Sequence, residues 1–128
     1  ISQLYLVSNY FIMMRNLYKS SQIVRKFFLE SDLTENTSIQ YAYYLLHLNG
    51  YKEIYDWNYL KDVDTILGII NQKKTPHTKR GYLTSVLYVL ENIENDDEFY
   101  NARGRYIQKF YGIDSYKYYV YKSEKERT

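Results

Sequence analysis

The chain has 128 residues, 45% of them hydrophobic, and a formal net charge of +2, enough for one domain around a single core and too apolar for a disordered segment. It holds no cysteine, which excludes disulfides and thiolate zinc sites and agrees with a reducing compartment. The first apolar stretch, Leu4 to Met14, is broken by Ser8 and Asn9 and stops at Arg15. It is too short to span a bilayer and lacks a basic leader, so no membrane helix, membrane partner or secretory signal is expected.

Helical periodicity dominates the chain. Leu4, Val7, Phe11, Met14 and Tyr18 recur at threes and fours, and Val24, Phe27 and Phe28 resume the stripe. This predicts one long or broken first helix from about Ser2 to Glu30. A second helix is expected to start near Asn36 or Thr37 as cap, to turn Tyr41, Tyr44, Leu45 and Leu48 inward, and to stop at the left-handed terminus Asn49-Gly50. The third should run from the cap Asp62 through Val63, Ile66, Leu67 and Ile70 to about Gln72, with Trp57 and Leu60 closing the preceding loop.

The fourth helix is predicted from Thr75 or Thr78 to about Ile93, packed by Tyr82, Val86 and Val89. A fifth follows from Asp96 or Asp97 to Gly112. The tail from Tyr116 to Tyr121 alternates weakly and fits strand or helix, and the polar run Lys122 to Thr128 reads as a linker. The expected fold class is therefore all-α, with an N-terminal helix in 1–33, a helical core in 34–115 and a Tyr-rich tail and linker in 116–128.

Charge is unevenly placed. Lys73, Lys74, Lys79 and Arg80 face no acid before Glu91, whereas Glu91, Glu94, Asp96, Asp97 and Glu98 face no base. A helix with a basic start and an acidic end opposes its own macrodipole, at a cost of tenths of a kcal/mol per exposed charge. An anionic partner at the basic end would explain it, because the free N–H groups of a capped first turn already favour anions. A solvated helix start is the bland alternative. Eighteen tyrosines accompany only Ala42 and Ala102 and a single Pro76. Tyrosine suits core edges more often than base stacking. The bias toward AT-rich codons suggests an AT-rich genome, such as those of several large DNA viruses and mobile elements, and the start at Ile1 suggests a piece of a longer protein.

Thr34-Glu35-Asn36-Thr37-Ser38-Ile39-Gln40-Tyr41, then Tyr44-Leu45 and Leu48-Asn49, then Leu60-Lys61-Asp62 with Ile66 and Ile70, then Lys73 through Val89, resemble the core-binding domain of tyrosine recombinases, the phage-integrase-like enzymes. Lys122 to Glu126 is similar to the linker ahead of the catalytic domain in integrases of large viruses. The resemblance covers about residues 34 to 126. It implies an orthogonal bundle of four to five helices that forms half of a clamp on duplex DNA and assists recombination and integration without doing chemistry. Mapped by motif, Asn36, Thr37 and Gln40 would face a major groove from the second helix. Lys73, Lys74, Thr78, Lys79 and Arg80 would contact phosphates, and bases, from the fourth. The expected location is intracellular, in nucleus, cytoplasm or viral factory, or in a virion, with self-association through the N-terminal helix or tail.

Catalysis by this chain is not expected. His77 and Arg80 form a His-x-x-Arg spacing, but Lys79 stands where the family's active-site box has an apolar residue, and no leucine-glycine-histidine segment follows. His47 and His77 lie in separate segments, so neither a metal site nor a cofactor is indicated. The acidic turn from Glu94 to Glu98 reads as solvated loop and cap. Two rivals remain: a helical protein-interaction or virion structural module without a DNA role, and a fragment of a catalytic domain, which would require strands.

Overall fold

The computed structural model describes residues 12, 13, 18, 21–93 and 96–127. Among them are six α-helices, one 3-10 turn and no strand, so the described residues are all-helical and the strand content that a catalytic fragment would need is missing from them. They fall into two compact units, divided between Trp57 and Asn58. The first helical stripe, at Leu4, Val7, Phe11 and Met14, and the acidic residue Glu94 lie outside the described residues.

In the first unit, α1 (Gln22–Leu29) follows Ser21 and buries Val24 and Phe28. Phe28 meets Phe27 and Tyr41 edge to face, and Phe27 meets Trp57 in the same way at 5.6 Å. Ser31 closes the turn by donating its hydroxyl to the Phe28 carbonyl at 2.7 Å and accepting from the Leu33 amide.

α2 (Glu35–Leu48) starts two or three residues earlier than a cap at Asn36 or Thr37 would require, because Thr34 is the cap and its Oγ1 accepts from the Thr37 amide at 3.2 Å. Its buried face is Ile39, Ala42, Tyr43 and Leu46 together with Leu45 and Leu48. Tyr41 and Tyr44 are only half-buried. The helix ends as its sequence suggests. Gly50 takes φ +68°, and the Gly50 and Tyr51 amides donate to the carbonyls of His47 and Leu46, the paired bonds of a Schellman terminus.

The second unit is organised by α5 (Asp97–Tyr111), which packs on a 3-10 turn (Asn58–Lys61), on α3 (Val63–Asn71), on α4 (Pro76–Glu91) and on α6 (Ser115–Arg127). Asp62 occupies the cap position of α3 but makes no side-chain cap hydrogen bond. Val63, Ile66, Leu67 and Ile70 point inward from this helix, as their spacing suggests. Leu60 is fully buried in the 3-10 turn, and its carbonyl accepts the Tyr106 hydroxyl at 2.6 Å. Asp96 caps α5 through the Glu98 and Phe99 amides, and Gly112, at φ +73°, ends it.

The tail resolves as helix. Asp114 receives the Lys117 amide at 2.8 Å and so starts α6, which takes in most of the expected linker and buries none of its described side chains. No described helix is long and apolar enough to cross a membrane.

Candidate nucleic-acid interface

Thr75 builds the start of α4. Its Oγ1 accepts the Thr78 amide at 3.1 Å while its hydroxyl donates to Thr78 Oγ1 at 2.9 Å, and Pro76 fills the first helical position. The first turn holds no acid. Lys74 and Arg80 are exposed, Lys79 and Thr78 are half-buried, and none of these three cations joins an ion pair among the described residues. Lys73 differs, because its ammonium lies 4.9 Å from the centre of the Tyr82 ring. Behind this surface Tyr82, Leu83, Val86, Leu87 and Val89 are buried, so the cations ride on a rigid, packed helix.

The α2 start repeats the device with a different charge. Thr34 and Thr37 reproduce the Thr-x-x-Thr cap, with Oγ1 atoms 3.0 Å apart. Asn36 is exposed, and Thr37 and Gln40 are half-buried on the following turn. Asn36 and Gln40 share a face by their four-residue spacing. However, Glu35 occupies the first turn, which suits the macrodipole and disfavours a phosphate. The two sets of site residues belong to different units: Asn36, Thr37 and Gln40 to the first, Lys73 to Arg80 to the second.

The remaining candidates for chemistry have structural employment. His47 stacks on Tyr51 with ring centres 4.9 Å apart. Lys61 pairs with Glu98 at 2.5 Å and also lies over the Phe99 ring. Asp64 pairs with Lys109 and Arg105, and its carboxyl is held below the usual carboxylate range, chiefly by the Lys109 hydrogen bond. His77 is exposed one turn before Arg80.

A set of residues that sequence reasoning did not single out lies on α5 and α6. Tyr111 stacks on Tyr118 at 5.1 Å, Tyr118 meets Tyr119 edge to face, and the Tyr119 hydroxyl donates to Glu91. The Tyr-rich tail was the only signal for them. Burial first, with Tyr111 and Glu91 adding to it, pushes the Tyr118 phenol up to about 12, and burial with the Glu91 hydrogen bond raises Tyr119 further. Because the folded values lie above the unfolded value of about 10, the stability these phenols contribute is complete below about pH 10 and is lost as pH rises through their folded range. Thermal melting followed at several pH values should therefore show a midpoint that is flat from neutrality to about pH 10 and then falls, in step with the appearance of phenolate absorbance. A midpoint that declines from neutral pH would contradict this origin.

No protein-family profile, no curated protein and no solved structure matches this chain.

Proposed function

We propose that this chain is the DNA-contacting, non-catalytic core-binding part of a tyrosine-recombinase-like integrase, its helices crossing as an orthogonal bundle of four to five. The observation that carries the reading is the start of α4, where Lys74, Lys79 and Arg80 surround an acid-free, threonine-capped first turn without an ion pair among the described residues. Cations and dipole there both favour one ligand type, the phosphate. Lys73 spreads over Tyr82 and supports the cluster from behind. Asn36 and Gln40 supply amide groups of the kind that read adenine edges, and in this proposal they do so in a major groove. Phosphate contacts are the better supported of the two, since they need only charge and a capped turn.

His77 and Arg80 act here as surface residues of a helix start and not as an active-site pair. Strand cleavage and rejoining belong, in this reading, to another domain of the parent protein, and the site of action is intracellular. A protein-interaction module is the rival, and Leu29 and Tyr55, both largely exposed on the first unit, are the residues it would use.

The salt dependence of duplex binding decides between them. Three neutralised phosphates give a slope of about −2.7 in the logarithm of affinity against the logarithm of salt, and a contribution from Lys73 would steepen it to about −3.6. Fluorescence anisotropy with a labelled duplex over a range of salt reads this directly. A slope of zero, or no binding at low salt, transfers the case to the protein-interaction reading.

A further inference from the structure

Between α5 and α6 of the second unit lies an open groove of about 540 Å³, with Tyr100, Arg103, Tyr116, Tyr119 and Glu124 among its lining residues. The helices meet closely at Gly104, where a Cβ would stand 3.2 Å from Ser115 Oγ. Arg103 is half-buried, with its guanidinium 4.7 Å from the centre of the Tyr100 ring and 4.9 Å from that of Tyr119. Its Nε is buried without a hydrogen-bond acceptor, and the side chain joins no ion pair among the described residues, Glu124 included. Ring faces answer the charge of a guanidinium but not its in-plane fork of N–H donors, which matches a phosphate or carboxylate. An anion on the terminal N–H groups of the guanidinium, which unlike Nε are not closed off from solvent, completes the site.

The groove also offers flat surface. Tyr116 is 79% exposed and Tyr100 62% exposed, so both rings are open to a ligand from solvent. From Tyr119 the rings continue through Tyr118 to Tyr111. Arg103 thus stands at one end of a path of aromatic rings within one unit. Glu91 and Glu124 are the acids beside it and oppose any polyanion; an acidic peptide has only Arg103 to set against them, whereas a nucleic acid adds stacking on the rings.

We infer that the groove and its ring path bind a single-stranded nucleic acid, with a phosphate on the Arg103 fork and bases stacked on Tyr116 and Tyr100. A duplex keeps its bases stacked on one another and cannot present them to these rings, whereas a single strand can. The assignment is independent of the duplex reading, because Arg103 and Tyr116 lie outside the α4 cluster.

The test measures anisotropy of a labelled oligothymidylate and of a labelled duplex at the same low salt, with the 128-residue chain. The wild-type protein should bind the oligothymidylate, and Tyr116→Ala, at a position too exposed to threaten folding, should weaken that binding about tenfold, as loss of one stacked base does. Arg103→Lys, which keeps the charge and loses the fork, should weaken it by a similar factor. Duplex affinity should stay the same in both variants. The inference is overturned if the wild-type chain does not bind oligothymidylate at low salt, if both variants bind it like wild type, or if polyglutamate displaces it as effectively as unlabelled oligothymidylate does. Failure of the duplex reading would show separately, as a flat salt slope on the duplex alone.

Discussion

Tyr106→Ala should cost about 3 to 5 kcal/mol of stability, the range for truncating a fully buried aromatic side chain. Tyr106 is 0% exposed and sits on α5, the helix that touches every other helix of the second unit. Its hydroxyl donates to the Leu60 carbonyl, which is itself deep in the 3-10 turn. Removing the side chain opens a cavity between α5 and that turn and also leaves the carbonyl without its donor. Against a typical total of about 5 to 15 kcal/mol, this is a large share.

Tyr106→Phe separates the two effects. The ring stays and only the hydroxyl is lost, so the cost should be about 1 to 3 kcal/mol, the price of leaving one buried acceptor unsatisfied. Urea denaturation followed by far-UV circular dichroism measures both. If the alanine variant unfolds at the wild-type midpoint, Tyr106 is not the centre of this core. If the phenylalanine variant is as damaging as alanine, the hydrogen bond dominates and packing does not.

Helix ends were legible where a residue with one dominant conformational use stood at the boundary. Asp96 and Gly112 frame α5, and Asn49-Gly50 ends α2, because a short acceptor side chain and a left-handed glycine have few other roles beside an apolar run. The start of α2 was harder to place. Thr34, Asn36 and Thr37 all have a cap's chemistry, and only the backbone decides which oxygen reaches a free amide. Its inward face was misjudged at Tyr41 and Tyr44 for a related reason. With eighteen tyrosines in the chain, tyrosine no longer marks the interior, and the aliphatic Ile39, Ala42 and Leu46 take that place around Tyr43.

The tail shows the opposite case. α6 buries no described side chain, so no apolar period was written into it, and its helix begins instead from the Asp114 hydrogen bond. The candidate surface divides along the same line. Four cations around the start of an apolar helix are visible as a pattern, because they are near neighbours in sequence. Arg103 is one arginine on an ordinary helix until its two ring partners are known, and Tyr119 is contributed by another helix.

Replacing Lys79 and Arg80 together with alanine should weaken duplex binding about 60-fold at about 0.1 M salt, because each phosphate contact carries about 0.9 decades of affinity per decade of salt. The salt slope should become shallower by about 1.8. Stability should barely change. Neither cation joins an ion pair among the described residues, and positive charge near a helix N-terminus opposes the macrodipole, so folding loses little and can gain a few tenths of a kcal/mol. Val86, on the same helix but 0% exposed, is the opposing control. Val86→Ala should lower stability by about 1 to 3 kcal/mol and leave the affinity of the folded protein as it was. Melting curves and anisotropy on the two variants therefore separate surface from scaffold on a single helix. If the double variant loses its fold, or Val86→Ala changes DNA affinity while its melting is unaltered, the α4 start is part of the core and the phosphate assignment falls with it.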